Sequence, residues 1–288
     1  MYPILSKKVL NPTVTQMEIE APLVAKKAKP GQFIILRVND EGERIPLTVA
    51  GTDPERGTVK IIFQIVGKTT FLLGQKEAGE SIADFVGPLG RPTEMEGLKK
   101  VCIVGGGVGC AIALPVAEAM HKQGIEVTSI IGFRSVDLLI LEDEFRACSD
   151  KLIVMTDDGS YARQGNVTIP LKEMLEAGER FDLVLAIGPG VMMKFTALTA
   201  KPYGVPCRVS MNPIMIDGTG MCGGCRLTLV KEDGTKVTKF ACVDGPEFDA
   251  YEIDFDEAMS RGRMYIPEEK HACDEACNLF KQAKAGRR

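Results

Sequence analysis

Val101-Cys-Ile-Val-Gly105-Gly106-Gly107-Val-Gly109 is an apolar strand running into a turn of glycines, and AIALPVAEAMHKQG follows at once with helical spacing. Without side chains in the turn, backbone N–H groups and a helix N-terminus can approach a pyrophosphate. The spacing is GGGxG, not the complete GxGxxG, so a tight strand-to-helix turn without ligand also accounts for this segment alone. A second glycine turn, Gly188-Pro189-Gly190, lies between the strand FDLVLAI and the helix VMMKFTALTA. Two such turns in one α/β region favour a nucleotide site. No acidic residue closes the strand VTSIIGF to grip a ribose hydroxyl; Arg134 and Ser135 follow, which tolerate a 2'-phosphate, so NAD and NADP both remain open.

Outward from that turn, apolar strands alternate with helical segments from 99 to 210, which implies parallel βαβ units in a Rossmann-like domain. Toward the N-terminus, residues 1–98 read as short strands rich in β-branched and aromatic residues (GQFIILRV, GTVKIIFQIV, ESIADFVGPLG) separated by turns. That pattern predicts a small antiparallel barrel. Toward the C-terminus, glycine and cysteine cluster over 211–255 around two strand-like pieces joined by a turn at Asp233-Gly234. The tail, 256–288, is charged and partly helical in pattern. The expected fold class is therefore β-barrel plus α/β, with a small C-terminal module.

Composition narrows the function. The chain carries 45% hydrophobic and 26% charged residues, enough for a buried core, and a formal net charge of -4. Its pI near 5.5 leaves no basic excess to neutralise phosphates, which argues against nucleic-acid binding. No apolar run approaches the ~20 residues that span a bilayer, nor does the N-terminus carry a signal-peptide core. The expectation is a cytosolic protein without membrane contact. Nine cysteines there do not read as a disulfide framework, because cytosolic thiols stay reduced.

Asp217-Gly-Thr-Gly-Met-Cys222-Gly-Gly-Cys225, followed after sixteen residues by Cys242, is the strongest chemical signal. A CxxC pair, one distant cysteine and a glycine-rich loop suit a compact metal centre, and the spacing is that of plant-type 2Fe-2S sites with Asp217 in the first position. An aspartate oxygen can complete the ligand set; as a hard donor it alters the reduction potential. A structural zinc site, a thioredoxin-like pair at Cys222 and Cys225, and inert cysteines are the competing readings. Cys102, Cys110, Cys148 and Cys207 stand singly in apolar or helical text and read as packing residues. Cys273 and Cys277, one helical turn apart beside His271, leave a second metal site open.

In the N-terminal region, Arg44-Ile-Pro46-Leu47-Thr48 and Gly67-Lys68-Thr69-Thr70 read without context as ordinary loops. In order before a nucleotide domain and a cluster loop, they become candidate flavin contacts: Arg44 for a pyrophosphate, Thr48 for a flavin ring.

The ordered series RIPLT (44–48), VGKTT (66–70), GPLG (87–90), GGGVG (105–109), TDDGS (156–160) and the cluster loop resembles the ferredoxin-NADP reductase-like superfamily over residues 1–255. Within it, the chain is similar to small flavoprotein subunits of NADH-dependent ferredoxin:NADP oxidoreductases, with sulfide dehydrogenase small subunits and dihydroorotate dehydrogenase electron-transfer subunits as relatives. The resemblance implies FAD against the barrel, at Arg44, Pro46, Leu47, Thr48, Gly67, Lys68, Thr69 and Thr70. It implies NAD(H), with NADP(H) not excluded, at Gly105, Gly106, Gly107, Gly109, Arg134, Asp157, Gly188 and Gly190. A 2Fe-2S cluster would be held by Asp217, Cys222, Cys225 and Cys242. The superfamily's usual R-x-Y-S differs here: Leu47 matches the tyrosine, and Arg44 stands one residue further upstream. Dihydroorotate dehydrogenase subunits carry four cysteines where this chain has Asp217. No catalytic acid or base is implied, in keeping with only two histidines. The implied activity is hydride transfer from NADH to FAD, then single electrons through the cluster to a larger flavin and iron–sulfur subunit, with ferredoxin reached through an electron-bifurcating heterodimer. A zinc-containing NAD sensor without turnover is the rival from another class.

Overall fold

The computed structural model describes the backbone of residues 1–285 and side chains through Glu275. The N-terminal half is an antiparallel seven-stranded sheet curled into a half-barrel. It contains β1 (Tyr2–Asn11), β2 (Val14–Glu20), β3 (Phe33–Arg37), β4 (Arg44–Asp53), β5 (Thr58–Gln64), β6 (Ser81–Ile82) and β7 (Asp84–Leu89), in the order β6-β1-β2-β5-β4-β3-β7. Two helices interrupt it, α1 (Pro22–Ala25) and α2 (Lys68–Gln75). In β2 the burial nearly alternates, as expected of a strand with one face on the core and one toward solvent.

The second sheet is mainly parallel and covered on both faces, and its central strands are correspondingly apolar: all five residues of β12 (Leu183–Ile187) are buried. Its strands are β8 (Lys100–Gly106), β9 (Glu126–Phe133), β10 (Lys151–Thr156), β11 (Arg163–Gln164), β12 and β13 (Cys207–Ser210). The helices are α3 (Gly109–Lys122), α4 (Glu142–Ala147), α5 (Thr168–Glu176) and α6 (Gly190–Ala200). With β16 (Glu247–Asp249) at one edge, the order is β11-β10-β9-β8-β12-β13-β16, so the direction of winding reverses between β8 and β12. Gly105 pairs with Ile187 across that boundary, which sets the two glycine turns side by side at the carboxyl ends of the strands. Ligands of open α/β sheets bind at such a switch point.

Beyond β13 comes the cysteine loop, a hairpin of β14 (Arg226–Val230) and β15 (Lys236–Phe240) turning at Asp233-Gly234, and α7 (Ala241–Asp244). The chain then returns as β16 (Glu247–Asp249), antiparallel at the edge of the parallel sheet. Helices α8 (Phe255–Arg261) and α9 (Ile266–Ala285) close the described chain, and α9 lies against α2. Among the described residues no helix is long and apolar enough to cross a membrane.

Half-barrel and parallel sheet share cores on two sides. Phe33 and Ile35 of β3 join the cluster that holds Met211, Met215 and Leu227, while Val14, Ala50 and Ile62 pack with Ala111 and Leu114 of α3. Each such large apolar side chain contributes about 1.5–3 kcal/mol when fully buried. Polar ties add direction: Asn11 Nδ2 donates to Leu138 O at 3.0 Å, and its Oδ1 accepts from Val14 N at 2.8 Å.

Thr93, on the connection from β7 to β8, donates its hydroxyl to Glu247 of β16 while its amide donates to Pro30 O. Glu247 keeps part of its surface in solvent, but Gly31 and Thr93 enclose its carboxyl end. Desolvation raises its pKa, against the opposing bond from Thr93. A carboxyl whose folded pKa is raised stabilises the fold below the ordinary glutamate value, and that contribution is lost as pH rises through the folded value. Glu247→Gln is therefore expected to melt higher than the parent at pH 8 and close to it at pH 4.5. Thermal unfolding at both pH values checks this; an equal shift at the two would contradict the assignment.

Candidate functional site: a cleft and a cysteine loop

A cleft of about 1030 Å³ runs between the half-barrel and the carboxyl ends of the parallel strands. It is at the upper end of small-molecule sites, large enough for an extended dinucleotide. One wall is β4, through Pro46, Leu47 and Thr48, continued by Thr70 at the start of α2. The facing wall comprises Gly106, Gly107 and Gly109, with Arg134, Asp157 and Gly188 at the strand ends. Asp157 N donates to Phe133 O at 3.0 Å and Asp158 N to Arg134 O at 3.1 Å, which fixes the adjoining ends of β9 and β10.

The glycines of the main turn have separate physical duties. A Cβ on Gly109 would stand 2.4 Å from Ile187 O and 2.7 Å from Gly188 Cα, so this position lets α3 approach β12. On Gly105 it would meet Cys110 Sγ at 2.9 Å, and on Gly106 Met192 Sδ at 2.4 Å. Gly107, at φ +55°, has nothing within 4 Å, so here the backbone itself borders open cleft. An exposed glycine backbone beside the N-terminus of a 14-residue helix is a cradle for phosphate.

Other sequence-predicted positions lie apart from the cleft lining. Gly105 is packed beneath it, and Gly190 borders a smaller cavity of about 270 Å³ with Met211, Phe255 and Met259. Gly67 caps α2: Thr70 Oγ1 accepts from Gly67 N at 3.1 Å. Lys68 is exposed at the first position of that helix, and Thr69 is buried with its hydroxyl on Glu43 Oε2 at 3.2 Å. Arg44, expected at a flavin pyrophosphate, donates Nε to Ile216 O at 2.9 Å, on the cysteine loop. The cleft also presents polar groups that no motif signalled: Asn11, Gln64, Asn166 and Asn212. Its aromatic surface comes from Phe33, Phe63, Phe133 and Phe195, not from position 47.

The cysteine loop is wound by three glycines in the left-handed region, Gly218 (φ +78°), Gly220 (φ +82°) and Gly223 (φ +67°). A Cβ on Gly218 would lie 2.6 Å from Leu89 and 3.0 Å from Ile35, so the loop sits directly on the half-barrel. Asp217 accepts from Thr219 N at 3.0 Å and from Cys222 N at 2.8 Å. These backbone donors, Thr219 foremost, bring its pKa down to about 2, so the carboxylate stays ionised. Cys225 and Cys242 are buried with their sulfurs 3.2 Å apart. Two sulfurs on one tetrahedral metal with 2.3 Å bonds stand about 3.8 Å apart, so this pair needs only a slight opening. Desolvation first, then the Cys225 contact, push the Cys242 thiol up to about 12; a bound cation reverses that preference, since thiolates are the ligands. Cys222 is exposed, next to Met221 at 89% exposure. Among the described residues no three His, Cys, Asp or Glu side chains already converge in metal-binding geometry. The four candidates are instead held as two pairs, Asp217 with Cys222 and Cys225 with Cys242, on one compact loop and the helix behind it. Three soft sulfurs and one ionised carboxylate fit a 2Fe-2S cluster.

Cys102, Cys110, Cys148 and Cys207 are buried, and burial raises their thiol pKa values. His271 is paired with Glu275 at 3.3 Å, and the side chain of Cys277 lies outside the described residues.

Residues 212–254 match the family model for the iron-sulfur cluster binding domain of dihydroorotate dehydrogenase B. Over 280 residues the chain is 50% identical to a Clostridium beijerinckii protein described only as uncharacterized in the adh 3' region, covering 94% of this chain and 93% of that one. It is 47% identical over 267 residues to the Thermotoga maritima dihydroorotate dehydrogenase B (NAD(+)) electron transfer subunit homolog, covering 93% and 92%. Among solved structures it superposes with TM-score 0.88, at 45% identity and 96% and 97% coverage, on a chain of the NADH-dependent reduced ferredoxin-NADP oxidoreductase studied for flavin-based electron bifurcation. On that identity and coverage, the chain belongs to the family of dihydroorotate dehydrogenase B electron-transfer subunits and their homologues, oxidoreductase subunits on a ferredoxin reductase-like fold.

Proposed function

We propose that this chain takes hydride from NADH onto FAD in the cleft and passes single electrons, through a 2Fe-2S cluster on the cysteine loop, to a larger flavin and iron–sulfur subunit of an electron-bifurcating ferredoxin:NADP oxidoreductase. The observation that carries the reading is the adjacency of a dinucleotide-sized cleft and a three-cysteine, one-aspartate loop, both resting on β3 and β4. Bound FAD converts a two-electron donor into two one-electron steps, and the cluster carries one electron at a time.

The chain's own residues bind, orient and insulate. Pro46, Leu47 and Thr48 form the flavin-side wall, continued by Thr70 at the capped start of α2. The N-terminus of α3 offers N–H groups to the phosphates of the nicotinamide dinucleotide, with Gly107 leaving its approach open, while Arg134 and Asp157 border the place for its adenosine ribose. Phe33, Phe63 and Phe133 keep the lining apolar. Neither histidine lines the cleft, in keeping with a site that moves electrons and needs no general acid or base. Asp217, Cys222, Cys225 and Cys242 would hold the cluster. The thiols would stay reduced in a cytosolic setting.

The match over 212–254 favours a second reading, the electron-transfer subunit of a dihydroorotate dehydrogenase; sulfide dehydrogenase shares the cofactors. The first test is anaerobic purification, with flavin, iron, zinc and acid-labile sulfide analysis and visible spectra before and after NADH. One flavin with two irons and two sulfides per chain, bleached by NADH, is expected. A colourless chain with one zinc would sink the reading and leave the sensor.

A further inference from the structure

Three arginines from separate elements grip the cysteine loop by its main chain. Arg44, at the start of β4, donates Nε to Ile216 O at 2.9 Å, the carbonyl just before Asp217. Arg91, just beyond β7, donates Nε to Val243 O at 3.3 Å, the carbonyl just after Cys242. Arg261, the last residue of α8, donates Nη2 to Gly224 O at 3.3 Å, the carbonyl just before Cys225. Each guanidinium therefore rests one residue from a candidate cluster ligand.

Their charges are less committed than those of the ion-paired arginines, although Arg91 acts on Asp244 through space. Arg37, Arg146, Arg163 and Arg208 all pair with carboxylates. Among the described residues none of Arg44, Arg91 and Arg261 does so. What sets these three apart is their position, each cation resting against a main-chain carbonyl beside a candidate ligand. An anionic centre held by those ligands would lie close to all three cations.

We propose that Arg44, Arg91 and Arg261 form a cationic collar around the cluster that raises its reduction potential as well as holding its loop. The proposal rests on the assignment of a 2Fe-2S cluster to Asp217, Cys222, Cys225 and Cys242. On reduction the cluster takes up one electron and becomes one unit more negative, so a nearby positive charge stabilises the reduced form more than the oxidised one. Net charge and hydrogen bonding are general levers on cluster potentials. Arginine suits this duty, because it stays charged under all conditions and donates to a carbonyl without losing its cation. The three are positioning residues: they act on the cluster through the backbone and through space.

The experiment is an EPR-monitored redox titration of the holoprotein and of Arg44→Gln, Arg91→Gln and Arg261→Gln, with iron and flavin measured on each sample. Each glutamine protein is expected to shift the reduction equilibrium toward the oxidised cluster by about tenfold, about 59 mV downward for a one-electron couple, with flavin content unchanged for Arg91→Gln and Arg261→Gln. The matching lysine proteins, which keep the charge, should stay within about threefold of the parent. Three glutamine proteins with loaded clusters and parental potentials would overturn the collar. Where a glutamine protein loses iron, the lysine protein at that position decides: a shift of tenfold or more despite the retained charge also overturns it. A parent without a two-iron EPR signal would instead sink the cluster assignment, a different failure.

Discussion

Cys242→Ser is expected to strip the chain of iron while sparing its flavin. Cys242 is 2% exposed and its sulfur lies 3.2 Å from that of Cys225. A serine hydroxyl there is a hard, weakly acidic donor in a place built for a soft thiolate. Iron and sulfide content should fall by at least tenfold, since even outer-shell changes at metal sites cost about 10–100-fold in affinity. NADH should still bleach the flavin at close to the parental rate, because the cleft glycines and β4 are untouched. Reduction of a one-electron acceptor that draws from the cluster should drop by about a hundredfold. Iron analysis with stopped-flow flavin bleaching separates the two halves; Cys148→Ala, buried away from the loop, serves as the control that keeps its iron. Equal loss of flavin bleaching and of acceptor reduction would mean that the loop supports the cleft and has no separate electron path.

Gly109→Ala carries the second large effect. The added methyl carbon would sit 2.4 Å from Ile187 O and 2.7 Å from Gly188 Cα, both backbone atoms that no rotamer change can move. Either α3 lifts off the sheet or β12 shifts, and the turn between them is the floor of the cleft. Overpacking of this kind costs about 1–3 kcal/mol, with backbone clashes toward the upper end. The melting temperature should fall by several degrees and NADH binding should weaken together with it. Gly107→Ala provides the contrast. At φ +55° an alanine costs about 1–2 kcal/mol in backbone strain, but its methyl meets nothing within 4 Å and projects into open cleft. Its loss of NADH affinity should therefore exceed what its smaller loss of stability explains. Thermal unfolding and NADH titration of both proteins test the division; identical ratios of the two losses would contradict it.

The broad plan was legible because it depends on local pattern. A strand that ends in glycines and opens a helix announces its own turn, and β-branched runs punctuated by Gly and Pro announce an antiparallel sheet. The class of cofactor was legible for a similar reason: Asp217, Cys222 and Cys225 are spaced within one loop, so ligand spacing can be counted along the chain. Arg44 shows where this stops. Its partner carbonyl, Ile216, is 172 residues away, and nothing in either segment marks the other. Gln64 and Asn212 likewise enter the cleft only because β5 and the segment after β13 end at the same place.

By itself, then, the amino-acid order determined the strand and helix periods, the glycine turns and the donor set of the cysteine loop, because each is a short-range property of backbone freedom and side-chain chemistry. The tertiary structure alone decided that β16 returns to the edge of the parallel sheet, that Glu247 is enclosed beneath Thr93, and that three arginines from distant elements donate to the main chain of the cysteine loop and the helix behind it. Those arrangements depend on which distant surfaces bury each other. That choice is made by packing of the whole core, which no single segment encodes.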